Sequence, residues 1–78
     1  MRSFDANFYS RNKGFEESMI DLLFVADEAG CTSRDVEKLI DAVVKMFTNG
    51  GFEVRYTCVS GRRIVVRRKN RSFEIRIE

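Results

Sequence analysis

A chain of 78 residues, 44% hydrophobic and 33% charged, describes one small globular domain with little room for an enclosed active site. No apolar run approaches the roughly 20 residues of a membrane span, and the absence of histidine removes imidazole bases, histidine metal ligands and Ser-His or Cys-His pairs. The net charge of +2 hides a polar distribution: residues 52–78 balance at +5 and residues 1–51 at −3.

Residues 1–14 read as an N-terminal arm or edge strand ahead of a compact unit expected over 15–78. Phe4, Ala6 and Phe8 alternate with Asp5, Asn7 and Tyr9, the period of a half-buried strand. Such a segment either straps the core or exchanges between copies in a homodimer. Arg11-Asn12-Lys13-Gly14 then reads as a turn.

A first helix is expected from about Phe15 to Ala29, with Glu16 and Glu17 at the positive end of its dipole and Gly30 ending it. Phe15, Met19, Leu22, Leu23 and Ala26 make its main apolar stripe, and Ile20, Phe24 and Val25 widen the stripe beyond a single face. That surplus places the helix between two layers or leaves part of it for a partner or a second copy.

The second helix is the best marked. Thr32 and Asp35 have the spacing of a reciprocal capping box, and Cys31 and Val36 take the flanking staple positions. Val36, Leu39, Ile40, Val43, Val44 and Phe47 recur at helical spacing, and Asn49-Gly50-Gly51 stops the run.

After Gly51 the period becomes two. Phe52, Val54, Tyr56 and Cys58 form one inward set, Ile64 and Val66 a second, and Phe73, Ile75 and Ile77 a third. Ser60-Gly61 and Asn70-Arg71 are short enough for hairpins. The expected fold is α+β: a two-helix hairpin packed on one face of a three-stranded antiparallel meander, in the order α-α-β-β-β, with a further N-terminal strand as an option.

Cys31 and Cys58 can pair in principle, but one bridge is a thin framework for a secreted chain and neither has metal-type spacing, so both read as buried small apolar residues. With no signal-like apolar core at the N-terminus, a cytoplasmic setting is expected. The helical carboxylates, Glu16, Glu17, Asp21, Asp27, Glu28, Asp35, Glu37 and Asp41, have solvation as their ordinary explanation. Gly50-Gly51 follows a helix where a phosphate loop precedes one. No catalytic residue, metal or cofactor is expected, and the chain reads as a non-enzymatic binding protein.

Its best candidate surface is basic. Six of the eight cations in residues 52–78 are Arg62, Arg63, Arg67, Arg68, Lys69 and Arg71, and arginine's planar fork suits phosphate and carboxylate. The functional expectation is contact with a nucleic-acid backbone, or with an acidic protein surface, through this hairpin. Against it stand Glu53, Glu74 and Glu78, which can pair across strands with the arginines of the open face. The alternative is a protein-interaction module or inhibitor of the phage-regulator kind, with Glu16, Glu17, Ile20, Asp21, Phe24, Asp27 and Glu28 as the partner or dimer surface.

A lesser alternative follows from the corner between the helices. Ala26, Ala29, Gly30, Cys31 and Thr32, followed by Val36 and Leu39, resemble the helix-turn-helix pattern, and the basic hairpin after them resembles the wing of winged-helix proteins. The resemblance implies that Ser33, Arg34, Glu37, Lys38 and Asp41 face a DNA groove. Glu37 and Asp41 set negative charge toward phosphates, and no third helix is evident before Phe15.

Overall fold

The computed structural model describes residues 14–69 and 72–78. It contains α1 (Phe15–Glu28), α2 (Ser33–Thr48), β1 (Glu53–Thr57), β2 (Arg63–Lys69) and β3 (Ser72–Ile77). The strands pair antiparallel in the order β1-β2-β3, with α1 over β3 and α2 over β1 and β2. This is the expected α-α-β-β-β arrangement. The N-terminal arm and the Asn70-Arg71 turn lie outside the described residues.

Local chemistry accounts for each boundary. Thr32 Oγ1 accepts from the Asp35 N–H at 3.1 Å while an Asp35 carboxylate oxygen accepts from the Thr32 N–H at 3.0 Å, completing the capping box. Both helices end in the same way. In α1 the Cys31 N–H reaches the Ala26 carbonyl at 3.0 Å and the Gly30 N–H reaches Asp27 at 3.1 Å, with Gly30 at φ 78°. In α2 the Gly51 N–H reaches the Met46 carbonyl at 2.8 Å beyond Gly50 at φ 75°. These are Schellman closures, which need a left-handed residue just past the helix.

The core lies between the helices and the inner sheet face. Leu22, Val25, Ala26 and Ala29 of α1 and its C-cap meet Leu39, Val43 and Met46 of α2 over Ile64, Val66, Phe73 and Ile75. Phe15, Phe47 and Phe73 close one end, with Phe15–Phe47 ring centroids 5.1 Å apart and nearly perpendicular. The stripe of α1 is rotated from the expected one: Val25 is buried and Leu23 is exposed. The turn responsible is that of Ser18, fully buried against β3, whose hydroxyl hydrogen-bonds the Ser72 hydroxyl. Each of these buried hydroxyls thereby has a partner, which burial demands. Phe52 also departs from expectation. It precedes β1 instead of pointing inward and is largely exposed.

The reading of the cysteines as separate apolar residues is overturned. Cys31 and Cys58 form a disulfide, their Cα atoms 5.2 Å apart, because the α1–α2 turn and the β1–β2 loop meet. Three further contacts hold the same junction. The Ser60 hydroxyl donates to the Ala29 carbonyl at 2.6 Å, the Val59 N–H donates to Asp35 Oδ2 at 3.1 Å, and the Tyr56 hydroxyl donates to Asp35 Oδ1 at 2.8 Å. A β-carbon on Gly30 would stand 3.1 Å from Ser60 Cβ, so the approach needs glycine twice, for its φ and for its size. Asp35 is therefore no solvated helix charge. It is buried, and its carboxylate accepts from three donors, the Thr32 N–H, the Tyr56 hydroxyl and the Val59 N–H.

Candidate nucleic-acid interface

The face of the sheet turned away from the helices carries alternating charge in three rows. Strand register sets Glu53, Arg67 and Glu74 side by side, then Arg55, Val65 and Arg76, and reciprocal backbone hydrogen bonds between Arg63 and Glu78 extend it to Thr57, Arg63 and Glu78. Arg63 and Arg67 lie two residues to either side of Val65 on β2, and Arg55 and Arg76 flank it on β1 and β3. The four arginine backbone positions form a diamond around one apolar residue. Neighbouring strands lie about 4.8 Å apart, so its short diagonal is about 10 Å. Val65 is buried although no helix covers it.

Ion pairs cross this face. Glu53 binds Arg55 at 2.5 Å and Arg67 at 3.0 Å, Glu78 lies 3.2 Å from Arg76 and 3.8 Å from Arg63, and Glu74 binds Lys69 at 2.5 Å. In every pair the cation is the more exposed partner: the basic side chains are 48–67% exposed and the carboxylates 22–37%. The hydrogen bond from Arg55, then that from Arg67, holds the Glu53 carboxyl below its ordinary pKa. The Arg55 guanidinium is held above its own, first by that hydrogen bond and then by the Glu53 charge. The Glu53 carboxylate thus stays ionised beneath its two more exposed cations. No protein-family model, curated protein or solved structure matches the chain.

The structure divides the basic residues expected to act together. Arg63, Arg67 and Lys69 are exposed on the sheet and paired as above, and Arg62 is exposed in the β1–β2 loop. Arg68 faces the opposite way. It shares a row with Phe73, is half-buried, and lays its guanidinium 5.0 Å from the Phe47 ring centroid. That contact gives it a packing role that competes with phosphate. Arg71 lies outside the described residues. Arg55 and Arg76 complete the diamond, and it is the strand register that sets them on either side of Val65.

Of the α1 surface residues, Glu16, Glu17, Ile20, Phe24, Asp27 and Glu28 are exposed. Asp21 is buried and does not belong to that surface. On α2, Ser33, Arg34, Glu37, Lys38 and Asp41 are exposed, but the first turn is engaged by the β1–β2 loop through Asp35. A recognition helix enters DNA with that turn. Cys31, Asp35 and Cys58 also bring potential metal-ligand atoms within 4.8 Å of one another. Both sulfurs are used in the disulfide and the carboxylate by its hydrogen bonds, so the cluster works as a structural clasp.

Proposed function

We propose that this chain is a non-enzymatic binding module that holds a nucleic-acid backbone against the outward face of its sheet. The observation that carries the reading is the layering of charge: in every ion pair of that face among the described residues the cation stands outside and the carboxylate beneath. Exposed pairs of this kind contribute about 0–1 kcal/mol each, so a phosphate can share or replace the carboxylate at little cost. Arg55, Arg63, Arg67 and Arg76 would clamp successive phosphates, with Lys69 and Arg62 at the margins. Tyr56 is half-buried and Phe73 is buried on the inner side, so among the described residues the face lacks the paired aromatics that read bases, and binding should be weakly sequence-specific. Phe52, 79% exposed just ahead of β1, offers one stacking platform for an unpaired base and tilts the preference toward single strands.

The disulfide bears on the setting. Cytosolic thiol buffers keep such bonds reduced, so the expected cytoplasmic location applies to the dithiol form and an oxidising compartment to the bridged one.

Titration of labelled single-stranded RNA, single-stranded DNA and duplex tests the reading. At about 50 mM salt, micromolar binding is expected, with a steep loss as salt rises. Replacing Arg63 and Arg67 with Ala should weaken all sequences alike and lower the salt slope by about 1 per arginine. Glu53→Gln should tighten binding by removing a competing carboxylate. Absence of binding at that salt, or tightening by the arginine variants, would overturn the proposal.

A further inference from the structure

The two long sides of α1 are opposed. One carries Ser18, Leu22, Val25 and Ala26 into the core, and the other leaves Ile20, Leu23 and Phe24 in solvent at 53%, 44% and 60% exposure. Their i, i+3, i+4 spacing brings the three side chains together as one ridge. Scattered apolar residues on a surface need no explanation, but a contiguous ridge marks an interaction site. Acidic pairs bracket it: Glu16 and Glu17 lie one turn before Ile20, and Asp27 and Glu28 about one turn after Phe24, all exposed. No basic residue occurs in the helix. At 1.5 Å per residue the two acidic pairs are about 16 Å apart.

We propose that this ridge docks an amphipathic helix of a partner protein, one that presents an apolar stripe to Ile20, Leu23 and Phe24 and carries Lys or Arg at both ends. An apolar centre with a charged rim is the usual anatomy of a protein interface, and the rim selects the partner by sign. A second copy is a poor occupant. Packing α1 on α1 about a two-fold axis sets the acidic pairs of one copy against those of the other, eight carboxylates around a small apolar contact. Nucleic acid is repelled by the same charges. A cationic helix satisfies both the ridge and its ends. The contact falls below the standard interface size, so an affinity on the order of 10–100 μM is expected.

The probe is a synthetic amphipathic peptide of about 16 residues, long enough to span both acidic pairs, with Leu at three- and four-residue spacing and two Lys at each end. A matched peptide carries Glu in place of each Lys. Anisotropy titrations against the full chain should show the Lys peptide binding at least about tenfold more tightly than the Glu peptide. Ile20→Ser with Phe24→Ser, both exposed and so compatible with folding, should cost a similar factor at unchanged circular dichroism. Glu17→Lys with Asp27→Lys should move the preference toward the Glu peptide, a result that general stickiness cannot produce. Equal affinity for the two peptides, no binding by the wild-type chain, or indifference to the serine variants would overturn the proposal. So would a dimer in sedimentation that Phe24→Ser abolishes, since it assigns the ridge to a second copy.

Discussion

Asp35 shows how much one side chain carries in a domain of this size. It caps α2, and its carboxylate also accepts from Tyr56 and Val59, so a helix terminus and a strand end depend on one charge. The Thr32 N–H first, then Tyr56 and Val59, lower its pKa from 3.8 to about 2. A carboxyl depressed by folding stabilises the native state above its unfolded pKa and loses that contribution as pH falls through the folded value. The clasp should therefore weaken between pH 3.8 and about 2. Urea midpoints across that range should fall more steeply for the wild-type chain than for Asp35→Asn, which starts lower at neutral pH. Parallel curves would assign the acid loss to other groups, Glu53 among them. Tyr56 supplies the opposite limb: the hydrogen bond to Asp35, then burial, raises its pKa above 10.0, so its contribution is complete below that value and is lost as pH climbs through the folded one. The spacing of Thr32 and Asp35 made the cap legible in sequence. The long-range half of the role was not, because nothing local to Asp35 indicates that residues 56 and 59 fold back to it.

At the scale of elements, period and punctuation carried most of the architecture. Two helical stretches ended by glycine and three alternating ones suffice for α-α-β-β-β. They failed where a partner far along the chain decides. Leu23 and Val25 exchanged places because Ser18 turns inward to meet Ser72, a pairing across 54 positions. The first hairpin loop is longer than Ser60-Gly61 alone, since Cys58 leaves the strand for Cys31 and the Cys58 N–H bonds the Arg62 carbonyl at 2.9 Å. That disulfide joins two elements across 27 positions, and closing a loop of this length restricts the unfolded chain by about 3–4 kcal/mol. The figure is a large share of the roughly 5–10 kcal/mol available to a small domain. Reduction should lower the urea-derived stability by about that amount. Cys31→Ser with Cys58→Ser should do the same without reductant. An unchanged midpoint with two titratable thiols would show that the Asp35 and Ser60 contacts hold the junction by themselves.

For the whole molecule the decisive property is the separation of charge, which composition alone conceals. The outward sheet face presents cations above carboxylates, and the far side presents the acidic bracket of α1, with the core between them. The shortest extent of the molecule is 18 Å. Physiological salt screens exposed charges beyond about 8 Å, while about 0.01 M salt extends the range to about 30 Å. The two faces should therefore act independently at physiological salt and feel each other when salt is low. If both assignments hold, Glu16→Gln with Glu28→Gln should leave oligonucleotide affinity unchanged at physiological salt and raise it at low salt, where the acidic side no longer opposes the approaching polyanion. Peptide bound at the ridge should act in the same direction, because its lysines neutralise the same carboxylates, and linkage then requires oligonucleotide to tighten peptide by an equal factor. Coupling that persists undiminished at physiological salt would exclude screened charge as its cause and point to a conformational link through the core.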